Sequence, residues 1–184
     1  MSSAHLPEMW PKDGFGHWQE HGSGAMDGKD VAVYSCLPDG EDVSGAKVLL
    51  AIGGGDYAMQ MRLDGNALAC LWQGLHDAGC KARSIRSLAA HQDAPEWDCR
   101  VQMTEGFIDA ARAGVSYRVF AERLRATDSA VVALNMYMLQ GFCGGSEMAT
   151  GDLTPDAAEE LARALMEAAE FARGINAMDK GGAA

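Results

Sequence analysis

The sequence predicts an α+β fold in which helices pack on one face of an antiparallel sheet. Several short segments alternate apolar and polar residues, as strands do, and two longer segments carry apolar residues at helical spacing. The chain has 184 residues, of which 48% are hydrophobic and 22% are charged. A chain of this size buries roughly 70% of its unfolded surface, which is enough for one core. We therefore expect a single domain over residues 29–178.

The first 28 residues show neither helical nor strand periodicity. Five glycines lie between residues 14 and 28, together with Trp18. Scattered glycines favour irregular structure, and aromatic residues favour packing over a free tail. Residues 1–28 are therefore predicted to form an irregular N-terminal arm.

Three strands are predicted after this arm. Residues 31–37 form an apolar run that ends in turn residues, and residues 47–52 form a second run. Residues 57–63 then alternate with a period of two, directly after the glycines at 53–55. We expect the second and third strands to pair as a hairpin.

A helix is predicted over residues 65–78, where apolar residues fall on one face. Asp64 suits the N-cap position and Gly79 suits the end of the helix. The following residues 80–99 show no clear periodicity. A short strand is then predicted at 100–103 and a second helix at 104–113.

The last third of the chain repeats the earlier order of elements. Strands are predicted at 115–119, at 129–139 and at 147–150, with a glycine-rich turn at 141–145. A final helix begins with the N-cap residue Thr154. The last six residues, 179–184, are predicted to be a disordered tail.

The two halves, residues 31–79 and 115–173, share a β-β-β-α order. When Leu63 is placed over Leu153, the apolar positions of the two helices coincide. An internal duplication would explain this agreement. The alternative is chance, because any two amphipathic helices can be aligned by their apolar faces.

Net charge narrows the classes of function. The chain has 15 Lys and Arg against 26 Asp and Glu, which gives a net charge of −11. This charge repels phosphate backbones, so direct nucleic-acid binding is not expected. We expect no secretory signal, because the first residues lack a basic region followed by an apolar region. No segment suits a membrane span, and the five cysteines form no C-x-x-C pair. We expect a cytoplasmic protein with reduced thiols.

Three motifs suggest chemistry, and none has the context that the chemistry needs. The glycines at 53–55 resemble a dinucleotide fingerprint, but the strand at 57–63 occupies the place of the required helix, so no cofactor is predicted. Residues 17–21 match H-x-x-E-H, which makes His17 and His21 a weak candidate metal pair, although nearby glycines disfavour the helix that this motif requires.

Cys143 is the candidate nucleophile. It lies in a G-x-C-x-G turn, and His76 or His91 would have to approach it through space as a base. A small cysteine-dependent enzyme or ligand-binding domain is therefore the alternative function. The other interpretation is that Cys143 is a small apolar residue in a tight turn.

The final helix gives the preferred function. Residues 151–173 hold six acids and two bases, about −4 in all, which predicts an acidic docking surface for a basic protein. The alternative is that this face is only a solvated helix surface. We expect a non-enzymatic interaction module, for example an inhibitor that mimics nucleic acid in a partner's basic site. In size and charge the chain is similar to small acidic anti-restriction and anti-CRISPR inhibitors. The predicted partner-binding residues are Asp152, Asp156, Glu159, Glu160, Glu167 and Glu170.

A homodimer is a further possibility raised by the sequence. An exposed sheet face rich in methionine and tyrosine could form the dimer interface, although such residues more often lie in a core. This face would comprise Tyr57, Met59, Met61, Met136 and Met138.

Overall fold

The fold is α+β, and the part of the chain that the structure describes forms two antiparallel four-stranded sheets and two long helices. The computed structural model describes residues 15–38, 47–54, 57–63, 65–85, 87, 99–110, 113–139 and 146–181. The first sheet has the order β1-β2-β3-β4 and the second the order β5-β6-β7-β8, so each is a meander. The elements are β1 (Phe15–Met26), β2 (Lys29–Pro38), β3 (Lys47–Gly54), β4 (Tyr57–Leu63), α1 (Gly65–Ser84), β5 (Cys99–Ala110), β6 (Ala113–Leu124), β7 (Ser129–Leu139), β8 (Ser146–Leu153) and α2 (Pro155–Gly181).

Strand β1 corrects the prediction of an irregular arm for the part that is described. It pairs antiparallel with β2, and the two strands are joined by Asp27 and Gly28. Both turn residues have positive φ, 47° and 73°, as a two-residue hairpin turn requires. Asp-Gly is a strong sequence signal for such a turn. The glycines of β1 concealed the strand because they weaken its apolar alternation.

Strand β5 corrects a second prediction, that of a short strand followed by a helix. Residues 99–110 form one strand, which carries a β-bulge at Met103, between Gln102 and Thr104. A bulge inserts one residue on one strand and changes which residues face the core. The alternation therefore breaks in mid-strand, and the break resembles a change of secondary structure.

Within the described residues each half has the order β-β-β-β-α, with one strand more than the predicted β-β-β-α repeat. The last strands end at Leu63 and Leu153, ninety residues apart, and both residues are buried. At the start of α2 the Ala157 N–H donates a hydrogen bond to Thr154 Oγ1 (3.1 Å), which confirms the predicted N-cap. The predicted cap at Asp64 lies outside the described residues.

Gly79 does not end α1, which continues to Ser84. A Cβ atom at Gly79 would lie 3.0 Å from the Pro155 carbonyl oxygen and 3.0 Å from Cγ of Glu159. This glycine therefore allows α1 and α2 to approach closely, and the sequence-based expectation of a helix end was wrong because the packing partner is distant in sequence.

Each helix packs on the sheet of the other half. Helix α1 packs on β5, β6 and β7, while α2 packs on β1, β2 and β3, and the helices also pack against each other. The close approaches are Gly74 to Thr104 in one case and Ala164 to Gly22 in the other. Buried side chains from both sheets and both helices form one cluster. Each sheet thus depends on the helix of the other half for its cover.

Candidate functional site

The acidic residues predicted to bind a partner divide into two groups by their exposure. Asp156, Glu160, Glu167 and Glu170 are exposed on α2, whereas Glu159 and Asp152 are partly buried. The exposure of the first four follows from the amphipathic sequence of α2, whose opposite face is buried.

Two of the acids are engaged by a cation from α1. Arg83 Nη2 lies 2.5 Å from Asp156 Oδ1, and Arg83 Nη1 binds Glu159 Oε1. The hydrogen bond from Arg83 lowers the pKa of Glu159, and the two carboxylates raise the pKa of Arg83, Glu159 more than Asp156. Arg83 therefore balances one of the two negative charges of Asp156 and Glu159, and the charge count of residues 151–173 did not include it.

Asp152 belongs to the contact between the two sheets. Its backbone N–H donates a hydrogen bond to Asp27 Oδ2 (2.9 Å) in the β1–β2 turn. Burial, and then the charge of Asp27, raise the pKa of the Asp152 carboxyl group. Close by, Lys29 Nζ donates a hydrogen bond to the Thr150 carbonyl oxygen (2.8 Å). Asp152 is thus a structural contact residue more than part of the exposed helix surface.

The remaining acids, Glu160, Glu167 and Glu170, are exposed together with Phe171, and we call these four residues the acidic α2 surface. Arg163 Nε reaches Glu167 Oε1 only at 4.0 Å, and an exposed pair of this length contributes little. Phe171 is 41% exposed. The surface therefore combines negative charge with an aromatic contact.

A groove between β1 and α2 lies beside this surface. We call it the β1–α2 groove, and it encloses a cavity of about 130 Å³. A Cβ at Gly22 would lie 2.7 Å from Ala164 Cβ, so this glycine allows the strand to approach the helix, while Gly24 faces open space. The groove is lined by residues 21–25, Val31, Leu153, Ala157, Glu160, Leu161, Arg163 and Ala164.

His21 is one of the residues that line the groove. Its Nε2 atom and Ser35 Oγ share a hydrogen bond of 2.8 Å, and its ring lies 5.6 Å from the ring of Phe171. Burial lowers the pKa of His21, and the charge of Glu167 opposes this effect. His17 and His21 both lie on β1, so the helical arrangement that H-x-x-E-H needs is not formed. The side chain of His17 is outside the described residues.

The candidate catalytic residues are only partly described. Cys143 and His91 lie outside the described residues, so the predicted Cys143 site stays a prediction. His76 is exposed on α1, and its Nε2 atom lies 3.9 Å from Sγ of Cys80. The Cys80 thiol also donates a hydrogen bond to Glu159 Oε1 (3.6 Å). Cys80 was missed because α1 was predicted to stop at Gly79, although the i, i+4 spacing from His76 would have placed both on one helix face.

One residue of the predicted methionine-rich dimer face, Met136, is not at the surface. Met136 is fully buried in the common core, so it offers no surface to a second copy. The side chains of Tyr57, Met59, Met61 and Met138 lie outside the described residues. A homodimer stays a prediction.

Within the described part of the chain, neither helix has a segment long and apolar enough to cross a membrane. Comparison of the chain with protein-family models, with curated proteins and with solved structures gives no match.

Proposed function

We propose that the protein is a non-enzymatic interaction module that binds a basic segment of a partner protein on the acidic α2 surface. The observation that carries this proposal is the position of three exposed acids beside a groove. Glu160 belongs to both, because it lines the groove and is exposed on α2.

The size and the lining of the groove suit one long side chain of the partner. Its walls include Leu161, Leu153 and Val31, which would contact the methylene groups of a lysine or arginine. The charged end of that side chain would then lie near Glu160 and away from Arg163, which also lines the groove. Exposed charge pairs add little affinity each, so the acids would act mainly on association rate and selectivity, while Phe171 adds apolar contact.

The partner chemistry follows from charge complementarity. A net charge of −11 favours a basic protein surface, such as one that normally holds nucleic acid. The proposal therefore includes an inhibitor that mimics nucleic acid, as small acidic anti-restriction and anti-CRISPR inhibitors do, acting in the cytoplasm. A second copy of the chain is disfavoured on this surface because two acidic surfaces repel each other, so a homodimer would use another face.

Charge reversal on α2 tests the proposal. The double variant Glu160→Lys/Glu167→Lys is compared with the wild type for binding to immobilised lysine- and arginine-rich peptides and for capture of proteins from a lysate. We expect at least a tenfold loss of binding, equivalent to about 1.4 kcal/mol or more. Wild-type binding should also weaken as salt concentration rises.

Asp77→Lys is the control for the single variant Glu167→Lys, which reverses the same number of charges. Asp77 is exposed on α1, at the position that corresponds to Glu167 ninety residues later. It reverses one charge at an equivalent place on the scaffold, and binding should be retained. Duplex DNA should compete for any captured partner if the partner's basic site is the one that is bound. Equal binding by the wild type and the double variant would refute the proposal.

A further inference from the structure

Three side chains of different chemistry meet where α1 crosses α2. His76 and Cys80 are one helical turn apart on α1, and Glu159 comes from α2. One nitrogen, one sulfur and one carboxylate oxygen from these residues lie within 4.8 Å of one another. Neither the acidic α2 surface nor the β1–α2 groove contains this cluster.

The distances between these atoms suit a single tetrahedral metal ion. With metal bonds of about 2.0–2.3 Å to sulfur, nitrogen and oxygen, neighbouring ligand atoms of a tetrahedral zinc ion are about 3.6 Å apart. The distance from Cys80 Sγ to Glu159 Oε1 is 3.6 Å, and the distance from Cys80 Sγ to His76 Nε2 is 3.9 Å. Small side-chain rotations would bring all three to a common ion.

The types of ligand select the class of metal. Thiolate and imidazole ligands favour zinc and other borderline transition metals, whereas magnesium and calcium require oxygen ligands. Three protein ligands leave a fourth tetrahedral position for water. Cys80 and His76 are exposed, so an ion can reach the cluster from solvent.

We propose that His76, Cys80 and Glu159 form a zinc-binding site that joins the two helices. On binding, the Cys80 thiol loses its proton to solvent, and its hydrogen bond to Glu159 is replaced by bonds from both groups to the ion. Because α1 and α2 belong to different halves, the ion would connect the halves directly. This proposal is independent of the proposed partner-binding function.

Arg83 also binds Glu159, through the same Oε1 atom that lies 3.6 Å from Cys80 Sγ. To bind the ion, Glu159 would use its second carboxylate oxygen or turn Oε1 away from Arg83.

Metal titration tests the proposal on the full chain. Calorimetry with Zn²⁺, and absorbance with Co²⁺ as a spectroscopic substitute, should show one ion per chain and a cobalt–thiolate charge-transfer band. Loss of an outer-shell residue typically weakens a metal site about 10- to 100-fold, so loss of a ligand in Cys80→Ser, His76→Ala or Glu159→Gln should weaken zinc binding at least about tenfold. Mg²⁺ and Ca²⁺ should not compete.

Cys70 provides the matched control, because it is also an exposed cysteine on α1. Cys70→Ser should bind zinc and cobalt as the wild type does. Circular dichroism shows whether each variant is folded. A second measurement needs no variant: zinc should protect Cys80 from alkylation, measured by peptide mass spectrometry, and leave Cys70 reactive.

The outcomes distinguish the site from other metal binding. Cys80-dependent binding with selective protection of Cys80 supports the proposal. Undetectable zinc binding, binding that is unchanged in Cys80→Ser, or equal protection of Cys70 and Cys80 overturns it.

Discussion

The two halves of the molecule have the same order of four strands and one helix in the described residues. They differ at a close contact between a strand and a helix. In the first half β1 has a bulge at His21, followed by Gly22, and Gly22 faces Ala164 of α2. In the second half β5 has a bulge at Met103, followed by Thr104, and Thr104 faces Gly74 of α1. In the first half the glycine is on the strand and the larger residue, Ala164, is on the helix. In the second half the glycine is on the helix and the larger residue, Thr104, is on the strand.

This difference shows how side-chain volume produces a groove on a repeated scaffold. In the second half Met103 packs against the common core and Thr104 fills the space above Gly74. In the first half His21 lines the cavity, and Gly24 leaves space open beside α2. The groove thus depends on residues at and after the bulge of β1, and bulges commonly re-aim side chains at functional sites.

The largest expected effect comes from separating the halves. We expect each half, produced alone by cutting the chain within residues 88–98, to be unfolded in isolation, because its sheet lacks the helix that covers it. Mixing the two halves should restore a folded complex. Circular dichroism and analytical ultracentrifugation measure both results.

If either half folds alone with a cooperative unfolding transition, its own helix can cover its own sheet, and the exchange is not obligatory. The intact chain is the control and should unfold in one transition, since both sheets and both helices share one core.

The next effect concerns the exchanged contact. Gly74→Ala places a Cβ against Thr104 and should lower the free energy of unfolding by about 1–3 kcal/mol, as overpacking does. Adding Thr104→Gly places a glycine on the strand and an alanine on the helix, as Gly22 and Ala164 are placed in the first half. The double variant should then be destabilised by less than the sum of the single variants, with a coupling of about 0.5–3 kcal/mol. Urea unfolding measures each value.

Gly174→Ala is the control for helix propensity. A Cβ at Gly174 would contact nothing within 4 Å, so this change should be neutral or stabilise by up to about 1 kcal/mol. Additive effects of Gly74→Ala and Thr104→Gly would show that the two residues are not coupled through this contact.

The smallest expected effect is the pH dependence of stability that is due to His21, the bulge residue of β1. Burial holds the pKa of His21 in the native state below its ordinary value of 6.5. As the pH falls below 6.5, His21 therefore takes up a proton more readily in the unfolded state than in the native state. Stability therefore falls in this range. His21→Met, which introduces the bulge residue of the second half, should remove this part of the dependence, measured by urea unfolding between about pH 8 and pH 5.

The difference between wild type and variant isolates His21, because the other four histidines are present in both proteins. An identical pH dependence would mean that the charging of His21 does not differ between the native and unfolded states.

Local sequence patterns predicted much of the fold but only part of the candidate site. The two helices and β4 follow from apolar periodicity, which reports the burial of one face, whereas β2 and β3 follow from short apolar runs. β1 and β5 were missed because glycines and a bulge interrupt that periodicity. The exposed acids of α2 were predicted from its amphipathic pattern, while their pairing with Arg83 was not, since Arg83 lies more than seventy residues away.

The sequence by itself determined the two long helices, the face that each of them buries, the strands from β2 to β4 and from β6 to β8, and the negative charge of α2. These properties depend on residues a few positions apart. Only the tertiary structure decided which helix covers which sheet, where the β1–α2 groove opens, and that His76, Cys80 and Glu159 meet. These properties depend on contacts between distant segments, where the volume of one residue, such as Gly22 or Gly79, sets how closely two elements approach.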